Sequence, residues 1–462
     1  MTGHESIAVA GFGKTGRALL DFLLQNPLAK DRYRQIFLFN DDAIADEIKM
    51  QSYRDLGVEF LVGEDRFNQL AAVDRLVLSP GIDGQAERFK SLRQQGIEII
   101  SEIEFAFPFL KAPVIGVTGT NGKSTTVSLI HHILQKNGQA SFLLGNIGKP
   151  LIAEVHRIPG KAFVVLELSS FQLEEIGTFR PHIAVLLNVT PDHLDRYPDM
   201  GAYLDAKLNI FKNQQSADFM VLNHQDPLLK QRAGAIGKAN ETWFSLTDPQ
   251  QENCAYIENN DITLKWAGLK SRVSLEKNPL RGRHNLENLL AASLTVNLLG
   301  IPAAGIEAAI ADFEGLAHRM QSLGKIGVVE FIDDSKATNV DAALKSIASI
   351  DEPLVLILGG KDKGSDYRIL EDAIRQSVGR VLLIGKAAAK IYEQLVNLRE
   401  RMVFVKDLAG AVRLGYEYLQ GSGGVVLLAP GCASFDMFRD FEHRGEVFKE
   451  AFYVLQQEVG HG

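Results

Sequence analysis

Residues 116–126 read Gly-Val-Thr-Gly-Thr-Asn-Gly-Lys-Ser-Thr-Thr, between an apolar run at 113–117 and an apolar helical pattern at 127–134. Strand, glycine-rich loop and helix in that order make a phosphate-binding loop for a nucleoside triphosphate. Gly119 and Gly122 let backbone N–H groups approach phosphate oxygens, with Thr120, Asn121 and Thr125 on the same stretch. Lys123 brings positive charge to the β and γ phosphates, Ser124 offers a hydroxyl to Mg²⁺, and the helix N-terminus adds its dipole. The general pattern G-x-x-x-x-G-K-[ST] would place its first glycine at Val117; here glycines stand at Gly116 and Gly119 instead.

Other residues capable of chemistry also sit where strands are expected to end. Glu167 closes an apolar strand and precedes Leu168-Ser169-Ser170-Phe171-Gln172, so its carboxylate is placed to hold Mg²⁺ beside the phosphate loop. A solvated strand-end glutamate is the plain alternative. Asn188-Val-Thr-Pro-Asp192-His193-Leu-Asp195 puts a histidine between two carboxylates, which favours metal or phosphate work over a core or capping histidine. Arg283-His284-Asn285-Leu-Glu-Asn288 starts a helix; its amides suit an adenine edge, and Asn285 suits an ordinary N-cap equally well. Gly11-Phe-Gly13-Lys14-Thr15-Gly16 matches the dinucleotide fingerprint G-x-G-x-x-G, with Asp41 or Asp42 near the position of an acidic ribose reader. Alone it points to NAD, to another nucleotide diphosphate or to a structural turn. The Ser79-Pro80-Gly81 loop falls at the same sheet edge.

Toward the C-terminus, Asp333-Asp334-Ser335-Lys336-Ala-Thr338-Asn339 brings acid, cation and hydroxyl to one strand-end loop. Gly359-Gly360-Lys361-Asp362-Lys363-Gly364 and Pro430-Gly431-Cys432-Ala433-Ser434-Phe435-Asp436 suit an anion. Three such loops in corresponding positions suggest a site for a small anionic substrate.

The elements that position these residues are short β-rich runs alternating with helical patterns, hence an α/β class with mainly parallel sheets. Strands are expected near 7–10, 35–40 and 75–79; then 163–168, 183–189 and 219–222; then 328–333, 354–358, 380–384, 402–405 and 425–429. A polar stretch at 253–274 reads as short antiparallel strands, followed by a helix at 285–299. A chain of 462 residues divides into about three domains: 1–111, 112–317 and 318–462, with hinges near Lys111 and Leu316. A net charge of −8 without a basic block argues against nucleic-acid binding. No apolar stretch reaches the roughly 18 residues needed to span a bilayer, and the region before Val9 has no signal-peptide pattern. Two cysteines, Cys254 and Cys432, suit a reducing compartment. The expectation is a cytoplasmic protein acting on small molecules.

Together, T-G-T-N-G-K-S-T at 118–125, E-L-S-S-F-Q-L-E at 167–174, L-N-V-T-P-D-H-L-D-R-Y at 187–197, H-N-L-E-N-L-L-A-A at 284–292 and D-S-K-A-T-N at 334–339 resemble the Mur ligases of peptidoglycan synthesis. G-N-I-G at 145–148 and C-A-S-F-D at 432–436 are most similar to the branch that adds D-glutamate to UDP-N-acetylmuramoyl-L-alanine; an L-glutamate ligase or a folylpolyglutamate-synthase-like ligase is the alternative. The resemblance implies a monomer with an N-terminal Rossmann-like domain for the uridine nucleotide, a central ATPase domain and a Rossmann-like C-terminal domain for the incoming amino acid. It demotes NAD. It assigns Lys123, Glu167, His193 and Lys207 to catalysis, with Ser124, Glu167, His193 and a carbamylated Lys207 around two Mg²⁺ ions. Gly119 to Thr125, Asn288, Arg319 and Asp334 fall on ATP. Lys14, Thr15, Ser79, Pro80, Gly81, Asn146 and Ser170 fall on the UDP substrate. Lys336, Thr338, Lys363, Ser434, Phe435 and Phe441 fall on glutamate. Phe39-Asn40-Asp41-Asp42 departs from the family's Asp-Thr-Arg pattern on the uracil side. By residue pattern alone Lys207, in Tyr203-Leu-Asp-Ala-Lys207-Leu-Asn-Ile-Phe211, is a solvated helix lysine.

Overall fold

The computed structural model describes residues 5–193, 196–232, 234 and 236–460. Asp195, one of the two carboxylates expected beside His193, lies outside them, as do residues 1–4 of the stretch read for a signal peptide.

Among the described residues the strands form three sheets of five, nine and six strands. In the first, β1 (Glu5–Ala10), β2 (Tyr33–Asn40), β3 (Val58–Val62), β4 (Arg75–Leu78) and β5 (Glu98–Ser101) are all parallel in the order β3-β2-β1-β4-β5. The order reverses between β1 and β4, so the crevice beyond their carboxyl ends is where such a sheet accepts a ligand. The glycine loop after β1 and Ser79 after β4 both face that crevice. The second sheet contains β6 (Val114–Thr118), β7 (Ser141–Gly145), β8 (Phe163–Glu167), β9 (Ile183–Leu186), β10 (Phe219–Asn223), β11 (Asn240–Ser245), β12 (Cys254–Glu258), β13 (Asp261–Trp266) and β14 (Leu269–Ser274). Its order is β14-β13-β12-β11-β10-β9-β6-β8-β7. It is parallel as far as β12 and antiparallel through β13 and β14. β6 sits between β8 and β9, so the phosphate loop, Glu167 and the Asn188 loop leave adjacent strands. The third sheet, β15 (Gln321–Ile326), β16 (Val329–Asp333), β17 (Leu354–Gly359), β18 (Val378–Ile384), β19 (Met402–Phe404) and β20 (Gly424–Leu428), has the order β15-β16-β20-β17-β18-β19. Its three substrate-type loops follow β16, β20 and β17, three neighbours.

The parallel strands are buried on both faces, which is why their sequences are continuous apolar runs; every residue of β17 is buried. Strands that break this rule escaped the sequence reading. β15 (Gln-Ser-Leu-Gly-Lys-Ile) is a half-exposed antiparallel edge, and β3 and β5 carry exposed glutamates at Glu59 and Glu98. The helix expected at 285–299 runs Arg283–Leu298.

By packing, the chain forms two compact units. One runs as far as Lys277 and resumes over Asn288–Ala311; the other comprises Asn278–Glu287 and the chain from Asp312 onward. By this packing division the segment around Lys111 falls inside the first unit. The reason lies in the helix Glu102–Ala106, every residue of which is buried. The Glu102 carboxylate accepts the Ile152 N–H at 2.7 Å. Glu104 accepts the N–H groups of Thr178 and Phe179 at 2.7 and 2.8 Å and the Thr178 hydroxyl at 2.6 Å. Phe22 packs edge-on to Phe105 and Phe109, and Phe107 on Phe179, closing the same seam with apolar area. These contacts join the first sheet to the second.

Burial raises the Glu102 carboxyl to about 7 despite the backbone N–H groups that favour its charged form. The folded chain therefore holds this proton more tightly than the unfolded chain does. Stability is favoured below the ordinary carboxylate range and falls as pH rises toward about 7, by about 3 kcal/mol in all. Glu102→Gln keeps an acceptor and removes the titration. Its melting temperature relative to the wild type should climb between pH 5 and pH 8. A gap constant with pH would mean Glu102 does not titrate in this range.

Candidate active site

The phosphate loop leaves β6 with Gly119 at φ +149° and Gly122 at φ +88°, backbone that residues with side chains rarely adopt. At Gly122 space forbids one as well: a Cβ would stand 2.3 Å from Asn288 Oδ1. Asn288, buried on the helix Arg283–Leu298, also accepts the Thr126 hydroxyl at 3.3 Å. Asn285 is not the cap of this helix. The helix begins two residues earlier, and the Asn285 amide donates to the Arg281 carbonyl at 2.8 Å.

Residues whose partnership the sequence did not reveal hold the loop's shape. Asn121 N–H donates to Asn188 Oδ1 at 2.9 Å, Asn188 Nδ2 returns a bond to the Asn121 carbonyl at 3.1 Å, and Thr120 N–H donates to the Asn188 carbonyl at 3.0 Å. Thr120 Oγ1 donates to the Thr190 carbonyl at 3.1 Å and accepts the Thr190 N–H at 3.0 Å. Asn188 stands four residues before the Asp192 that drew attention, with His193, for its charge. Its signal was its place two residues past the end of β9.

Ser124 donates its hydroxyl to Glu167 Oε2 in a short contact, while Glu167 Oε1 accepts Asn146 Nδ2 at 2.8 Å. Asn146 N–H also donates to the Glu167 carbonyl at 2.9 Å, a turn that needs Gly145 at φ +103°. Hydroxyl, carboxylate and amide thus meet at the mouth of the phosphate loop. This oxygen set suits Mg²⁺, which is commonly held by one or two carboxylates together with substrate phosphates and water. Among the described residues no group of three or more His, Cys, Asp and Glu forms a cage for a metal, and a phosphate-borne Mg²⁺ does not require one.

Lys123 donates to the carbonyls of Gly119 and Thr120 at 2.8 and 2.7 Å. Lys207 donates to the same Gly119 carbonyl at 3.0 Å. Contrary to its helix pattern, Lys207 is buried, at 1% exposure, with its nitrogen 4.4 Å from the centre of the Tyr203 ring. Burial, and then the charge of Lys123, hold its amine well below the ordinary lysine value. His193 takes φ +56° and packs edge-on to Phe171 at 4.9 Å between ring centres. Ser170 opens the helix Ser170–Glu174, which a Ser169–Gln172 capping box starts.

At the first sheet, Gly16 is obligatory: a Cβ there would lie 1.8 Å from the Gly11 carbonyl oxygen. Ser79 Oγ donates to that same carbonyl at 3.4 Å. Lys14 reaches the Gly148 carbonyl in a short contact, joining the glycine turn to the Asn146 loop. Thr15 follows in the same helix, Lys14–Gln25, and Pro80 and Gly81 continue the loop after Ser79. Asp41 is paired with Arg88 through two bonds of 2.6 and 2.7 Å.

In the second unit, Asp334 is buried and raised to about 6 by desolvation, against the lowering influence of Ser346 and Arg319. The Lys336 ammonium lies 3.7 Å above the Phe441 ring. Ser434 is buried, whereas Lys363 and Phe435 are exposed. Lys361 and Ala433 exchange backbone bonds of 2.8 and 3.2 Å, so the loops after β17 and β20 touch. Thr338 N–H donates to the Lys336 carbonyl at 2.7 Å within the loop after β16.

Comparison with known proteins agrees along the length of the chain. Family models match for a MurD-like N-terminal domain of Mur ligases over residues 5–101, a Mur ligase middle domain over 117–296 and a Mur ligase glutamate ligase domain over 318–432. UDP-N-acetylmuramoylalanine–D-glutamate ligase of Geotalea uraniireducens is 39% identical over 457 residues, 99% of each chain. The protein of that name from Solibacter usitatus is 40% identical over 455 residues, 97% of each. Among solved structures, Thermotoga maritima MurF ligase in complex with ADP superposes with a TM-score of 0.60 at 16% identity, covering 98% of this chain and 96% of that one. A pseudomurein peptide ligase from Methanothermus fervidus gives 0.60 at 16% identity, covering 98% and 100%. At such identities the structures speak for the fold.

The approach of Asn288 to Gly122 yields a direct expectation. Gly122→Ala meets both the positive φ and the 2.3 Å contact, and should weaken ATP binding by about tenfold or more, equivalent to about 1.4 kcal/mol. Calorimetric titration with ATP checks it. Unchanged affinity would show that the loop tolerates a side chain and that Asn288 does not constrain it.

Proposed function

We propose, from the premise that the chain belongs to the Mur ligase family, that it joins D-glutamate to UDP-N-acetylmuramoyl-L-alanine at the expense of ATP in cytoplasmic peptidoglycan synthesis, as a monomer. Relatives named for that ligation, 38–40% identical over nearly all of their length, support the substrates. The observation that carries the chemistry is the meeting of Ser124, Glu167 and Asn146 at the phosphate loop. Among the described residues no helix is long and apolar enough to cross a membrane.

A carboxylate is a poor acyl donor. In the proposed reaction the L-alanyl carboxylate oxygen attacks the γ-phosphorus of ATP, the bond to ADP breaks, and an acyl phosphate results. The glutamate amine, having lost a proton, attacks the acyl carbon; the amide forms and inorganic phosphate leaves. The first step brings two anions together, so cations must neutralise the site. Lys123 and the loop amides bind the triphosphate, and Asn146 and Ser170 stand where the acyl end is proposed to lie. Glu167 and Ser124 would hold Mg²⁺, which supplies charge neutralisation at the phosphoryl oxygens. The first sheet's glycine turn and the Ser79 loop take the uridine diphosphate. Lys336, Thr338, Lys363 and Ser434 offer cations and hydroxyls to the two carboxylates of glutamate, with Phe435 and Phe441 beside them; Arg319 and Asp334 are assigned to the nucleotide.

Lys207 is proposed to act as a carbamate. An ammonium cannot ligate Mg²⁺, whereas a neutral amine adds CO₂, releases a proton and becomes an anionic oxygen donor. The buried, depressed amine of Lys207 meets that requirement.

Phosphate release measured with UDP-N-acetylmuramoyl-L-alanine and a panel of D- and L-amino acids tests the whole reading. Release should require D-glutamate, and release driven equally by L-glutamate would overturn the substrate. Lys123→Ala should lower turnover by about 10²-fold or more while the fold survives. Lys207→Ala should lose activity that added short carboxylates partly restore, and Lys207→Arg should stay inactive. A fully active Lys207→Arg enzyme would dispose of the carbamate.

A further inference from the structure

Arg444 is among the largest fully buried side chains, at 1% exposure, and sits on the helix Phe441–Gly460. Its guanidinium ties together the three strand-end loops of the C-terminal sheet. Nε donates to Ser335 Oγ at 2.9 Å and Nη2 to the Ser335 carbonyl at 2.7 Å, in the loop after β16. Nη1 donates to the Cys432 carbonyl at 3.1 Å, in the loop after β20. A Cβ on Gly360, in the loop after β17, would come within 3.2 Å of the same Nη1. Ser335 Oγ donates in turn to the Phe441 carbonyl at 2.9 Å, returning the connection to the helix.

All of these acceptors are neutral. Among the described residues no carboxylate pairs with Arg444. Asp333 gives Oδ2 to His318 at 2.6 Å and Oδ1 to the Ser335 N–H at 2.8 Å. Asp436 Oδ2 accepts the Lys386 N–H at 2.9 Å. Burial lowers the guanidinium to about 10, which leaves it charged at neutral pH. A buried cation with no carboxylate in bonding contact is costly. Asp436 and Asp333 favour its charged form only from beyond hydrogen-bonding distance. Its charge lies beneath loops that already present Lys336, Lys363, Thr338 and Ser434, and where water is excluded it is felt beyond its own contacts.

We infer that Arg444 is a positioning residue that sets the preference of this site for an amino acid with two carboxylates: it holds the three loops in register and supplies under them a positive charge that no carboxylate contacts directly. The inference rests on the proposed assignment of these loops to glutamate. The readout is the ratio of kcat/KM for D-glutamate to that for D-glutamine, equal in shape but with a neutral side chain, at saturating ATP and UDP substrate. Arg444→Met should lower that ratio about tenfold or more, because the dianionic substrate loses more than the neutral one. The KM for ATP should stay within about threefold, since a loss confined to the amino-acid side costs under about 1 kcal/mol elsewhere. Arg444→Lys, which keeps the charge but not the three-way bonding, should keep most of the ratio while turnover falls. An unchanged ratio in a folded Arg444→Met enzyme, with both amino acids losing equally, overturns the inference. Should Arg444→Met fail to melt cooperatively, Arg444→Lys decides: a ratio near that of the wild type supports the charge, and a collapsed ratio overturns it. Failure of the underlying assignment would look different, as the wild type itself would release no phosphate in response to D-glutamate.

Discussion

Two lysine amines point at one carbonyl oxygen. Lys123 and Lys207 both donate to Gly119 O, at 2.8 and 3.0 Å. Two ammonium ions sharing one acceptor repel strongly wherever water is excluded. The conflict is resolved by position. Lys123 is half-buried at the loop mouth, while Lys207 is enclosed and beside the Tyr203 ring, so desolvation falls on Lys207 and disfavours its charged form. Much of the central sheet serves this arrangement. Gly119 must turn its carbonyl inward, which needs its positive φ, and the Asn188 and Thr190 bonds keep the loop from relaxing. The outcome is one half-buried amine at the loop mouth and one enclosed amine held well below the ordinary lysine value.

A second regularity is that every constellation sits at the carboxyl ends of neighbouring parallel strands, where backbone N–H groups and helix N-termini converge. In the central sheet these are β6, β8 and β9; in the C-terminal sheet they are β16, β20 and β17. The two sites differ in how they are held. Around the phosphate loop, amides and hydroxyls of modest polarity exchange bonds, and a substrate brings the charge. Around the C-terminal loops a buried guanidinium does the holding, so positive charge is built in before any ligand arrives.

The fusion of the first two sheets into one unit follows from carboxylates rather than from a broad apolar face. Glu102 and Glu104 spend their oxygens on backbone N–H groups that would otherwise be orphaned at Ile152, Thr178 and Phe179. The Lys14 contact to Gly148 and the pairing of Arg93 with Glu175 at 2.5 Å add to the same seam. The crevice of the first sheet and the Asn146 loop are thereby held in a constant relation.

Local pattern alone determined a good deal here. Apolar runs placed the buried parallel strands, glycines at 116–122 placed the phosphate loop, and Glu167 and Lys123 were picked out by type and by position, whereas Asn146 came only through the family resemblance. These are short-range properties, because a strand buried on both faces must be apolar throughout and a phosphate loop must be rich in glycine. Edge strands such as β15 stayed hidden because exposure removes that pattern, and the bond between Asn121 and Asn188 stayed hidden because 67 residues separate the partners. Burial of a charge was least legible. Lys207 reads as a solvated helix residue, and Arg444 attracted no notice among the basic residues of its helix. Only the tertiary structure decided that one would lose its proton readily and that the other would keep its charge with no carboxylate in direct contact. Both outcomes depend on which distant atoms exclude water from the group, and no local spacing records that.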